Sequence, residues 1–146
     1  MIKRRDLIQL GASAITASAL GLRARLATAE SAGAAMIKRP IPSSGETIPV
    51  IGMGTSRTFD APDDPDSLAL LTEVMKAFFN HGGTVIDSSP MYGNAETRVG
   101  DVMRSLDPRP AMFAATKVWT EGEAEGIAQM EQSSKRMHVE TFDLIA

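Results

Sequence analysis

The chain predicts an α/β fold built on a parallel sheet. Three observations carry this. A short β-branched run, Thr84-Val85-Ile86, follows a Gly82-Gly83 break and ends at Asp87, the pattern of a buried strand. A polar Ser88-Ser89-Pro90 loop then leads through Tyr92-Gly93-Asn94 into a helix starting near Asn94. The same order of strand, loop and helix recurs along the chain. Strands alternating with helices imply a parallel sheet with right-handed crossovers.

The first residues stand apart from this pattern. Lys3-Arg4-Arg5 is a basic cluster, Leu7 to Leu22 carries no charge, and Ala27-Thr28-Ala29 has small residues at cleavage-site spacing. Basic, apolar, small is the secretory signal layout. Adjacent arginines followed by Asp6, Leu7 and Ile8 resemble a twin-arginine export signal. The expectation is a signal peptide over 1–29, a spacer over 30–36 and a folded domain over 37–146. It makes the twin-arginine export machinery a partner and the location periplasmic or exported. The apolar run spans 16 residues, shorter than the ~20 needed for a stable membrane span. An amphipathic N-terminal helix or an uncleaved anchor is the alternative.

Ile37-Lys38-Arg39-Pro40-Ile41 and Thr47-Ile48-Pro49-Val50, separated by Ser43-Ser44-Gly45-Glu46, read as a hairpin. Val50 to Thr55 is the first strand of the sheet, with Gly52 and Gly54 allowing close backbone approach. After an acidic loop, a helix covers Ser67 to Asn80, capped by Asp66 or Ser67. Leu68, Leu71, Met75, Phe78 and Phe79 form its buried face. Gly82-Gly83 stops it, with His81 at its C-terminal end. The second strand is Thr84 to Asp87. The second helix, Asn94 to Leu106, turns Val99, Val102, Met103 and Leu106 inward and ends at Pro108 and Pro110. Ala111 to Trp119 is a third strand whose apolar body suits burial on both faces. A polar third helix runs from Glu123 to about His138, with Ile127, Met130 and Met137 as its apolar side. Phe142 to Ala146 opens a fourth strand.

Composition sets outer limits. The chain has 146 residues, a net charge of −3 and no cysteine. No basic run outside the N-terminus favours nucleic acid. Disulfides and thiolate metal sites are excluded, and neither His81 nor His138 suggests a metal role. Removal of residues 1–29 would leave 10 basic and 17 acidic residues, a net charge of −7.

The pattern of Asp87, Tyr92-Gly93-Asn94, Glu96 and Val99-Gly100 resembles the signature of the aldo-keto reductases. The five-residue step from Asp87 to Tyr92 matches that family's spacing of catalytic acid and tyrosine. The resemblance covers about Ile37 to Ala146. It implies a (β/α)8 TIM barrel, of which this chain holds the N-terminal half: a hairpin, then β-α-β-α-β-α-β. A complete barrel typically needs ~250 residues.

The resemblance also implies an activity, the NAD(P)H-dependent reduction of aldehydes or ketones to alcohols, with a small carbonyl compound as substrate and NADPH as cofactor. It assigns Tyr92 as general acid, Lys117 as its electrostatic partner and Asp87 as the partner of the lysine. These roles are chemically coherent. A phenol is a reluctant acid near neutral pH, with a pKa near ~10. A neighbouring ammonium group favours the phenolate and eases proton exchange. Read singly, Asp87 is a loop or capping residue, Tyr92 a packing residue and Lys117 a solvated strand end. Trp119 matches an aromatic that lines the substrate mouth, with core packing as the alternative. Gly54, Thr55 and Asp87 are the expected cofactor contacts.

Two parts of the family's site fall outside the sequence. Its fourth catalytic residue, a histidine at the end of strand four, would follow Ala146, and His81 and His138 stand at the wrong positions to replace it. The loops gripping the nicotinamide and 2′-phosphate belong to the second half of the barrel. The 146 residues alone are therefore expected neither to bind NADPH tightly nor to reduce carbonyls. A truncated fragment is the first expectation. The alternative is a decayed gene product or a non-catalytic half-barrel that binds partners. Open sheet edges would favour self-association.

Overall fold

The computed structural model describes residues 36–146, which form one compact body. The expected signal peptide and nearly all of the spacer lie outside the described residues. A two-stranded antiparallel hairpin comes first, β1 (Lys38–Pro40) and β2 (Thr47–Pro49). A four-stranded parallel sheet follows in the order β3-β4-β5-β6. Its strands are β3 (Met53–Gly54), β4 (Val85–Asp87), β5 (Phe113–Thr116) and β6 (Leu144–Ile145). Three helices connect them: α1 (Pro65–Asn80), α2 (Ala95–Ser105) and α3 (Glu123–Met137). The alternation read from the sequence is thus the alternation observed.

The strands are shorter than expected, and the backbone explains it. β3 begins only at Met53, because Val50 and Ile51 are exposed and Gly52 passes tightly against Val85. β5 begins at Phe113, after the Pro108–Pro110 segment. β6 is limited to the residues that pair with Ala115 and Thr116.

α1 starts two residues earlier than expected. Asp64, rather than Asp66 or Ser67, is its N-cap, accepting from the Ser67 backbone N–H at 2.9 Å and the Ser67 hydroxyl at 2.8 Å. Pro65 fixes the first helical position, where its missing N–H goes unnoticed. The hydrogen bonds from Ser67 hold the Asp64 carboxyl below its ordinary carboxylate range. At the other end, Gly82 adopts φ +84° and donates to Phe79 O, which turns the chain into β4. A Cβ on Gly83 would overlap the Phe78 ring.

The core lies between the sheet and the helices. Ile86 and Ala114 from the strands meet Leu71 and Met75 of α1, Val99, Val102 and Met103 of α2, and Met137 of α3. α2 packs against both α1 and α3. Its approach to α3 depends on Gly100, where a Cβ would overlap the carbonyl oxygen of Arg136. On α3 the expected apolar side is only partly correct. Met137 is fully buried, but Ile127 faces outward, and Gly126 and Ser133 are buried instead. Small residues let this helix sit close, so its buried face is not its most apolar one.

Candidate active site

The register of the sheet assembles the site. Gly54 pairs with Asp87, and Asp87 with Ala115, so the C-terminal ends of β3, β4 and β5 lie side by side. Lys117 follows β5 directly and Tyr92 lies in the β4–α2 loop. This is the end of an α/β sheet where ligands bind.

Lys117 Nζ donates to Asp87 Oδ1 at 2.8 Å, to Asp87 Oδ2 at 2.9 Å and to the Ser88 carbonyl oxygen at 2.9 Å. An ammonium group has three hydrogens, and these three acceptors account for them. The same nitrogen lies 5.3 Å from the centre of the Tyr92 ring, within cation–π range. Lys117 therefore acts on Tyr92 as a fixed charge. The Lys117 and Asp87 side chains are 26 % and 46 % exposed. An ion pair that wet stabilises the fold by at most ~1 kcal/mol, so its main consequence is placement.

Thr55 behaves otherwise than expected. It is fully buried, and its hydroxyl donates to Asp87 O at 3.0 Å and accepts from the Ser88 hydroxyl at 2.9 Å. Its side chain cannot face a cofactor; it braces the loop that presents Asp87. Gly54 is open, and a Cβ there would meet nothing within 4 Å. Trp119 is 65 % exposed and takes no part in the core of the described residues. Gln129 grips its peptide, accepting from Trp119 N at 2.5 Å and donating to Trp119 O at 3.4 Å.

Other supporting residues were not foreseen. Asp60, in the loop before α1, accepts from the backbone N–H of Asn94 at 2.9 Å and so caps α2 from outside. Gly93 makes room for that carboxylate and takes φ +59°. Arg98, nearly buried, donates to Ala61 O, Asp63 and Asp101. Glu96 is buried and accepts from Thr116 and Arg136. Of these, only Gly93 and Glu96 are marked in the sequence, as members of the signature. His81 is an exposed C-cap of α1, and His138 caps α3 in the left-handed region. Neither joins the site. Among the described residues no group of three or more His, Cys, Asp or Glu could hold a metal ion, and no helix is long and apolar enough to cross a membrane.

An apolar cleft of about 390 Å³ lies between β3 and α1, lined by Met53, Phe59, Leu70 and Val74 among others. It contains none of Asp87, Tyr92 or Lys117. The Asp87–Lys117–Tyr92 group sits instead at the C-terminal end of the strands.

Fold and site together define the N-terminal part of a β/α barrel with an Asp–Lys–Tyr group at the C-terminal ends of its strands. The chain belongs to the aldo/keto reductase family, whose model matches residues 50–146. It is 31 % identical over 102 residues to aldehyde reductase YPR1 of Saccharomyces cerevisiae, covering 70 % of this chain and 30 % of that protein. It is 32 % identical over 93 residues to the D-arabinose 1-dehydrogenase of the same yeast, covering 57 % and 28 %. An aldo-keto reductase from Klebsiella pneumoniae, solved in complex with NADPH, superposes with a TM-score of 0.60 at 27 % identity, covering 75 % of this chain and 39 % of the other. The chain thus spans less than a third of the length of these yeast relatives.

Proposed function

We propose that this chain carries the proton-donating part of an NADPH-dependent carbonyl-reducing site. The observation that supports this most is the Lys117 ammonium, fixed by Asp87 and Ser88 at 5.3 Å from the Tyr92 ring centre. NADPH, when bound, supplies the hydride. The residues present fit such a cofactor: Gly54 leaves open space beside the half-exposed Asp87, and both would contact it. Tyr92 gives its proton to the carbonyl oxygen of a small aldehyde or ketone. Lys117 sets its positive charge beside the phenol ring, and Asp87 holds the lysine in place. Trp119 presents an exposed aromatic face to the substrate. The test is aldehyde-dependent loss of NADPH absorbance with the product of the complete gene. Turnover is expected there. No turnover of any small aldehyde or ketone by the complete product would contradict the reading.

We also propose that the protein is exported by the twin-arginine route. The support is Arg4-Arg5 before the uncharged Leu7–Leu22 run and Ala27-Thr28-Ala29. Residues 1–35 fused to a folded reporter are expected to carry it to the periplasm. Replacing Arg4 and Arg5 with Lys is expected to leave it in the cytoplasm. Export that survives this change would rule out the route. β3 and β6, the outermost strands of the described sheet, leave polar backbone edges that favour self-association of this piece.

A further inference from the structure

We propose that Glu96 is a positioning residue for the Lys117–Tyr92 pair, acting through Thr116. The proposal rests on the roles just given to Lys117 and Tyr92. Glu96 lies in the first turn of α2 and is 0 % exposed. Its Oε1 accepts from the Thr116 hydroxyl at 2.7 Å and its Oε2 from Arg136 Nη1 at 3.3 Å. Thr116 is the last residue of β5 and immediately precedes Lys117. Tyr92 lies four residues before Glu96, and its carbonyl accepts the N–H of Ala95 at the start of the same helix. One buried carboxylate therefore joins the segment carrying the phenol to the segment carrying the ammonium.

Stability alone does not explain this choice. Burying a carboxylate carries a large desolvation penalty, and an apolar group of similar volume often serves a core as well or better. A hydrogen-bonded acid adds direction, because it holds the Thr116 hydroxyl at one angle and distance. The end of β5 is then fixed in register with α2. Lys117 leaves the strand where its ammonium meets Asp87 and Ser88.

The test uses the full 146-residue chain and needs no turnover, so it can fail independently of the proposed reaction. Reductive methylation of lysines is followed by mass spectrometry. The rate at Lys117 is read against that at Lys76, an exposed lysine on α1. Thr116→Val removes the hydroxyl at nearly constant volume, and Thr116→Ser keeps it. Val is expected to raise the Lys117/Lys76 ratio roughly two- to ten-fold, the weight of one net hydrogen bond. Ser is expected to leave it at the wild-type value. A Val variant with wild-type circular dichroism and an unchanged ratio would overturn the proposal, as would a Ser variant as reactive as Val. Should Thr116→Val fail to fold, Glu96→Met decides. It removes the acceptor for Thr116 at similar volume and is expected to raise the ratio as Val would; a folded Met variant with the wild-type ratio would overturn the proposal.

Discussion

Tyr92→Phe, made in the product of the complete gene, is expected to lower kcat for aldehyde reduction by roughly 10²–10⁴-fold, the usual weight of a positioned proton donor. Phe removes one oxygen and keeps the ring that packs 5.3 Å from the Lys117 ammonium. Folding and NADPH affinity are therefore expected to hold, and KM to change little. A loss confined to kcat identifies an interaction made in the transition state. A loss confined to KM would make Tyr92 a binding residue.

The second large effect concerns stability. Gly100→Ala is expected to destabilise the fold by about 1–3 kcal/mol, the range for overpacking a well-packed site. Two terms oppose each other. Alanine is a better helix former than glycine by about 1 kcal/mol, and Gly100 lies inside α2. The added Cβ, however, overlaps the backbone carbonyl oxygen of Arg136 and crowds the ring of His138. A side chain can rotate away; a helical carbonyl cannot, so α2 and α3 must separate. The melting temperature is expected to fall by roughly 5–15 °C for a domain of this size. An unchanged or higher melting temperature would show that the helices part easily.

These two residues illustrate how much was legible in the sequence. The alternation of strands and helices followed from apolar periodicity and the Gly-Gly break at 82–83, and the parallel sheet followed from the alternation. Asp87 and Tyr92 emerged from spacing in a recognisable signature and Lys117 from the family resemblance; the register of β3, β4 and β5 sets Asp87 beside the end of β5, and the Lys117 ammonium lies 5.3 Å from the Tyr92 ring centre. What stayed hidden depends on distant contacts. Asp60 caps a helix 34 residues later, and no local pattern announces that. Thr55 sits at the right end of the right strand, yet its side chain turns inward to the Asp87 loop; strand position alone does not fix a rotamer. Asp64 displaced Asp66 as a cap because Pro65 moved the helix start, which single-residue preferences cannot resolve. The burial of Gly126 and Ser133 in place of Ile127 shows close helix packing selecting for size over hydrophobicity. Residues 1–35 lie outside the described structure, so the proposal of an export signal rests on the sequence pattern alone.

The central claim is that Lys117 and Tyr92 work as one unit held by Asp87. A kinetic double-mutant cycle on the complete gene product tests it most directly, comparing kcat for wild type, Tyr92→Phe, Lys117→Met and the double variant. Groups that act together lose their effect together. The double variant is therefore expected to be no slower than Tyr92→Phe alone. If the two losses multiply instead, Lys117 and Tyr92 contribute separately and the account of the site is wrong.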